Sequence, residues 1–472
     1  MALSNEIIAN SNVVFGTSGA RGLVSDFTPE VCVAFALAFA HVLKQKVPID
    51  TLALAIDNRP SSYQMAQAIS AGLAQLNIKA TYYGVVPTPA LAFFAMQQNM
   101  PCIMVTGSHI PFDRNGLKFY RPEGEITKQD ELAILSASVE VKYIKSLPEL
   151  ELLNDVKSAY VKRNIEGFDS NTLFGKRIGI YEHSSAGRDI YRTIFESLGA
   201  EVISLGRSDE FVPIDTEAVS EQDKQKAREW VRIHQLDALF STDGDGDRPL
   251  LADEQGEWLR GDILGLLCSQ LLNIEALSTP VSCNTAIELS NSFKHVARTK
   301  IGSPHVIAEF EELNKLYSSV AGFEANGGYM LSSPVSFNTK VIQPLPTRDA
   351  VLPAIVVLAG LKCTTLSELV NLLPKRITAS DRIKNFAREN ANKLFNNIRK
   401  DPTIWLPKLG LNQKLINTDN TDGLRLTLNN DTIVHLRPSG NAPELRCYVE
   451  TSSKLEADEL LKRVLSNLHT LC

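Results

Sequence analysis

The sequence predicts an α/β protein: three similar mixed α/β domains followed by a smaller C-terminal α+β domain, set around a central cleft. Three observations carry this reading. A strand–loop–helix–strand pattern recurs three times before residue 373, and the segment after it changes to alternating strand patterns. The 472 residues leave room for about three or four domains of ordinary size.

The first copy begins with Leu52–Ile56, an apolar strand, and continues through the polar turn Asp57–Ser62, a helix to Leu76 and a strand from Ile78. The apolar run Val31–Leu43 ahead of it, broken by His41, is too short for a bilayer span and is a core helix. The second copy starts with the strand Arg177–Tyr181. Its helix sets Ile190, Ile194 and Leu198 four apart on one face, Gly199 stops it, and Val202–Leu205 returns as a strand. A weaker third copy runs from the strand Val281–Cys283 through a helix near residues 287–293 to Val296. Strands alternating with helices imply parallel sheets. Beyond Leu372-Leu373-Pro374, Leu424–Leu428 and Thr432–Leu436 alternate as strands, and a helix from Leu455 to Leu468 closes the chain. The expected domains are 1–155, 156–258, 259–373 and 374–472.

Hydrophobic content of 44% and charged content of 22% describe an ordinary globular protein. The amino terminus lacks a basic start and apolar centre of a secretory signal, and seven scattered cysteines without CxxC spacing suit reduced thiols, so a cytoplasmic location is expected. A net charge of -6 argues against nucleic-acid binding, and no membrane partner is expected. No interface signature separates a monomer from a homodimer.

Two loops carry chemistry by their own composition. Residues 241–248, Ser-Thr-Asp-Gly-Asp-Gly-Asp-Arg, place Asp243, Asp245 and Asp247 two apart between apolar strands at 236–240 and 249–252. Side chains two apart in an extended segment point the same way, and a divalent cation relieves the repulsion of converging carboxylates. All-oxygen ligation suits Mg²⁺ better than zinc. The second loop follows the strand Cys102–Val105: Thr106-Gly107-Ser108-His109, with Gly107 supplying an unusual backbone angle and Asn115-Gly116 a tight turn that returns Lys118 towards Ser108.

Together with three further segments, these loops resemble the α-D-phosphohexomutase family, most closely its bacterial phosphomannomutase and phosphoglucomutase branch. The segments are Phe15-Gly16-Thr17-Ser18-Gly19-Ala20-Arg21-Gly22, Gly322–Gly328, and Arg437-Pro438-Ser439-Gly440-Asn441-Ala442-Pro443-Glu444-Leu445-Arg446. The resemblance spans nearly the whole chain. It implies that Ser108 is carried as a phosphoserine, exchanges its phosphoryl group with a hexose phosphate, and shares a Mg²⁺ ion with the three aspartates. A hexose 1,6-bisphosphate is the implied activator. Arg21 and Arg248 are expected to clamp the transferring group. Lys118 is the candidate general acid or base, with phosphate counter-charge as its alternative; His109 shapes the loop or orients phosphate.

Arg437, Ser439, Gly440, Asn441 and Arg446 are expected to cradle the phosphate that is not reacting. Glu324 and Asn326 fall where the family reads sugar hydroxyls. Here the chain departs from its branch: a histidine common at the end of that loop is absent, and Asn326-Gly327-Gly328 stands in its place. The upstream segment Thr299–Val306 is closer to phosphoglucosamine mutases and offers His305 as a further sugar or phosphate contact. The expected activity is interconversion of hexose 1- and 6-phosphates, mannose phosphate ahead of glucose or glucosamine phosphate. A phosphatase or a silent sugar-phosphate-binding protein is the alternative.

Overall fold

Four principal sheets build the protein, and three of them repeat one topology. In the computed structural model, residues 2–16, 19–438 and 444–470 are described. The first sheet contains the strand Thr51–Ile56 between two parallel neighbours, Lys79–Val85 and Cys102–Val105. Chain reversal then lays Arg114–Arg121 antiparallel to Cys102–Val105. The second sheet repeats this order: Arg177–Tyr181 lies between parallel Glu201–Leu205 and Ala238–Thr242, and Pro249–Ala252 runs back antiparallel. In the third, Ala276–Pro280 lies between parallel His295–Thr299 and Val320–Phe323, followed by antiparallel Tyr329–Leu331. The fourth sheet, Ile377–Lys384, Glu444–Thr451, Ile433–Pro438, Leu424–Leu428 and Leu415–Asp419 in spatial order, is wholly antiparallel. This is the predicted fold class.

Local chemistry explains the elements. The helix Pro29–Lys44 starts at Thr28, whose hydroxyl accepts from the amide of Val31, and carries proline in its first turn and Lys44 in its last. It is apolar nearly all round because it is buried nearly all round. Gly72 of the helix Ser62–Ala74 admits it closely: an added Cβ would lie 3.2 Å from Val33. Gly199, at φ +94°, ends the helix Tyr191–Ser197. The longest helix, Lys454–Thr470, covers the fourth sheet with Ala457, Leu460, Leu461 and Val464.

Three local expectations are corrected. The third repeat's first strand is Ala276–Pro280, not Val281–Cys283, and its helix is the single turn Ala286–Leu289. The strand was hidden because its Ser278 and Thr279 are fully buried polar residues. Asn115 and Gly116 form no turn; they lie within Arg114–Arg121, where a Cβ on Gly116 would approach the carbonyl oxygens of Ala20 and Thr106 to 2.6 and 2.9 Å. The backbone of Ser108, at φ +55°, takes the left-handed angle expected of Gly107.

The hydrophobic core is unevenly divided. One continuous cluster joins Ala53, Met104 and Tyr120 of the first sheet region, Ile180 and Phe240 of the second, and Phe323 and Tyr329 of the third. The C-terminal sheet has a cluster of its own, from Ile383 to Leu468. Its contacts to the rest include polar ones: Thr285 donates its amide to Glu450 at 3.2 Å, Arg376 donates to the Thr285 hydroxyl at 3.1 Å, and the amide of Ile301 donates to Asp422 at 3.0 Å. Among the described residues no helix is long and apolar enough to cross a membrane. Leu426→Ala, at a fully buried position of the C-terminal cluster, is expected to remove about 2–5 kcal/mol. Hydrogen exchange should then quicken in Ile433–Pro438 and Glu444–Thr451 while Thr51–Ile56 keeps its protection; uniform loss across both would contradict the division.

Candidate active site

The connection that reverses the chain after the third parallel strand occurs once in each α/β unit, and each instance carries one of the singled-out loops. These are residues 106–113, 243–248 and 324–328. They meet because ligand sites in such sheets form beyond the carboxyl ends of the parallel strands.

A buried arginine that the sequence reading passed over fixes the first loop. Arg59 pairs with Asp57 at 3.1 Å and donates to the carbonyls of Ser108, Ile110, Pro111 and Arg114 at 2.5–3.1 Å. Gly107 is needed for this approach, since a Cβ there would lie 2.7 Å from the Arg59 guanidinium carbon. Thr106 donates to Asp57 at 2.8 Å and accepts from the amide of Ser108 at 2.8 Å. Asn115, fully buried, donates to Ser61 and Ser62. The only forewarning was the polar run Asp57-Asn58-Arg59 at a strand's end.

Held this way, the Ser108 hydroxyl donates to Asp243 Oδ2 at 2.6 Å. The glycines between the aspartates explain the approach: a Cβ on Gly244 would lie 2.8 Å from the Ser108 carbonyl, and Gly246 has φ +71°. Carboxylate oxygens of Asp243, Asp245 and Asp247 lie within 4.8 Å of one another, all buried. At that spacing each charged pair repels by about 3 kcal/mol at an effective dielectric constant of about 20. Lys118 offsets part of this, with Nζ 2.5 Å from both Asp245 and Asp247. Arg348, another residue the sequence reading missed, reaches Asp247 at 3.0 Å and Glu324 at 3.2 Å. It sits on Leu345–Asp349, where nothing in the local sequence distinguishes it from an ordinary strand arginine.

The charges divide the three carboxyls. Burial, then Asp245 and Asp247, push Asp243 well above the ordinary aspartate value. Burial opposes ionisation of Asp245 as well, but the Lys118 ammonium and the Thr88 hydroxyl outweigh it and hold that carboxyl low. Oδ1 of Asp245 and Oδ1 of Asp247 are buried without a hydrogen-bond partner. Two orphaned carboxylate oxygens beside a serine-bound third aspartate fit a hard cation such as Mg²⁺.

His109 Nδ1 lies 2.9 Å from Arg248 Nη1. A guanidinium only donates, so Nδ1 accepts and the ring is neutral. Burial, Arg248 and Arg21 accordingly push the His109 value down to about 2. Arg21 is itself lowered to about 10 by burial and by Arg248 and Arg348.

A cleft of about 310 Å³ opens over this floor. Arg21, His109, Arg248, Glu324, Asn326 and Arg348 line it from the three α/β units, and Arg382, Arg437, Arg446 and Tyr448 from the C-terminal sheet. Asn326 donates to Glu324 at 3.4 Å, and Arg437 pairs with Asp422 at 2.8 Å. His305 is exposed and does not line this cleft; Lys300 and Asp422 are among its charged neighbours. Ser439, Gly440 and Asn441 lie outside the described residues, as do Thr17 and Ser18.

The raised Asp243 value sets the sign of a pH effect. A proton must leave before a cation binds, so Mg²⁺ affinity falls with decreasing pH before the ordinary carboxylate range is reached, and binding releases protons. Calorimetry in two buffers of different ionisation heat measures that release. Asp243→Asn is expected to abolish it and to weaken Mg²⁺ by at least about tenfold. Affinity flat down to the ordinary range, without proton release, would contradict the assignment.

Comparison with known proteins gives the family. Profiles described as phosphoglucomutase/phosphomannomutase match in three parts: α/β/α domain I over residues 12–143, α/β/α domain II over 158–256 and the C-terminal domain over 375–466. A phosphomannomutase of Salmonella muenchen is 56% identical over 98% of this chain and 97% of its own. One from Sinorhizobium fredii is 40% identical over 97% and 98%. The fold is shared with a crystal structure of a phosphoglucomutase/phosphomannomutase family protein from Burkholderia thailandensis, at a TM-score of 0.75 and 18% identity over 96% and 97% of the two chains. Sequence, topology and cleft together establish that the chain belongs to the phosphoglucomutase/phosphomannomutase family of α-D-phosphohexomutases.

Proposed function

We propose that the chain interconverts hexose 1-phosphate and hexose 6-phosphate, with mannose phosphate the favoured substrate, through a phosphoserine at Ser108. The observation that carries this reading is the Ser108 hydroxyl at hydrogen-bond distance from a buried aspartate trio, on the floor of an arginine-lined cleft. Similarity at 56% identity to a phosphomannomutase supports the choice of sugar.

Phosphoryl transfer asks for in-line positioning and neutralised charge rather than covalent help. As the phosphorus–Oγ bond of phosphoserine breaks, phosphorus bonds to the free hydroxyl oxygen of the sugar phosphate, whose proton leaves to a base of the cleft. Asp243, Asp245 and Asp247 would hold a Mg²⁺ ion, which would supply positive charge beside the transferring group. Arg21 and Arg248 flank that group, and Arg59 keeps the Ser108 backbone in place. The ion pairs of Lys118 with Asp245 and Asp247 favour its role as counter-charge; neutral His109 is the other proton-handling candidate.

The second step, in which the sugar's original phosphoryl group leaves its oxygen and bonds to Ser108 Oγ, requires the bisphosphorylated sugar to turn around. Arg437 and Arg446, with Ser439, Gly440 and Asn441, hold the phosphate that is not reacting in either orientation, and Glu324 and Asn326 read the hydroxyls between. His305 stays a further contact candidate, and the C-terminal domain, 374–472, shifts about a hinge near Pro374 as the cleft closes on the ligand. Its separate core and polar contacts to the other units favour such motion. A hexose 1,6-bisphosphate acts as activator by recharging Ser108.

A panel of mannose, glucose and glucosamine 1-phosphates, each with Mg²⁺ and its bisphosphate, ranks the substrates by kcat/KM. Ser108→Ala is expected to reduce isomerisation of all of them to background without loss of fold. Undiminished turnover in that variant would refute the phosphoserine, and accumulation of free phosphate in place of isomerised sugar would mark a phosphatase.

A further inference from the structure

The second α/β unit contributes more to the cleft than its metal loop. Between the strand Glu201–Leu205 and the helix Glu221–His234, the chain crosses the cleft wall, and Asp215, Glu217 and Ala218 line the space. Three contacts pin this segment. Phe211 lies against the Arg59 guanidinium at 4.0 Å, the amide of Val212 donates to Ser184 at 2.8 Å, and the Thr216 hydroxyl donates to the carbonyl of Asn326 at 3.0 Å. Ile214 and Thr216 are buried, so Asp215 and Glu217, on the alternate positions, face the opening.

The two acids differ. Asp215 is engaged, accepting the amide of Glu217 at 3.0 Å. The Glu217 carboxylate has no hydrogen-bond or ion-pair partner among the described residues; the charges around it are Arg248, Asp215, Glu324 and Arg260. Its charge is also felt by Arg446 and Tyr448 on the C-terminal sheet. Glu217 therefore lines the same cleft as Arg248, Glu324 and, on the C-terminal sheet, Arg446. Arginines supply donors for phosphate, whereas pyranose hydroxyls also need acceptors.

We propose that Glu217 is a second sugar-reading carboxylate, a specificity-determining residue that accepts substrate hydroxyls in the same cleft as Glu324. The inference rests on the mutase reading above. The test compares kcat and KM of wild type, Glu217→Gln and Glu217→Ala on mannose 1-phosphate and glucose 1-phosphate, each with Mg²⁺ and its bisphosphate. A site built to bind a hydroxyl loses strongly when the acceptor is removed. The expected result is a loss of about tenfold or more in kcat/KM for the preferred sugar, a smaller loss for its epimer, and a melting temperature unchanged in the near-isosteric Gln variant. Unchanged kinetics on both sugars would overturn the proposal. So would equal losses on both, which would make Glu217 a lobe-closing contact to Arg446. A wild-type enzyme inactive on every hexose 1-phosphate would instead sink the mutase reading, a result separable from any behaviour of Glu217.

Discussion

Three carboxylates gathered in the interior are the constraint to which the surrounding architecture answers. Isolated in a low-dielectric site they would not all stay ionised. The protein answers with Lys118 from the first sheet, Arg248 from the metal loop itself and Arg348 from the third sheet, so each α/β unit contributes one cation. Neutralisation is therefore also a device that ties the units together around the site. A divalent ion joining this set redistributes a balance that already exists.

The repeated order of strands explains why the loops converge. In each unit the first parallel strand is central, the second and third flank it, and the reversal after the third bears the chemistry. One topological position thus presents the Ser108 hydroxyl, the three aspartate carboxylates, and the cleft-lining pair Glu324 and Asn326. The shared apolar cluster holds the three reversals in register, as precision in an active site demands.

Much of this was legible in the sequence because the decisive signals are local. Arg177–Tyr181, Leu424–Leu428 and Pro249–Ala252 follow directly from apolar patterning bounded by turn residues. The aspartate spacing announced a cation loop, and the structure brings that loop to Ser108. What stayed hidden depends on partners distant in the chain. Arg59 and Arg348 owe their importance to carbonyls and carboxylates as many as 101 positions away, and Ala276–Pro280 buries hydroxyls that look exposed on paper. Likewise Gly107 and Gly116 are small because of neighbours, not because of their own backbone angles.

The uneven partition of apolar packing has an evolutionary corollary. Excising any of the first three units would tear open a common interior, even though the first also holds a second cluster of its own, from Ile8 to Ala137. The fourth unit carries its own interior and touches the rest through side chains such as Glu450 and Asp422. It is accordingly the portion most open to exchange or reshaping, and grafting it between relatives would replace the Arg437 and Arg446 wall of the cleft while leaving the Ser108 and aspartate loops untouched.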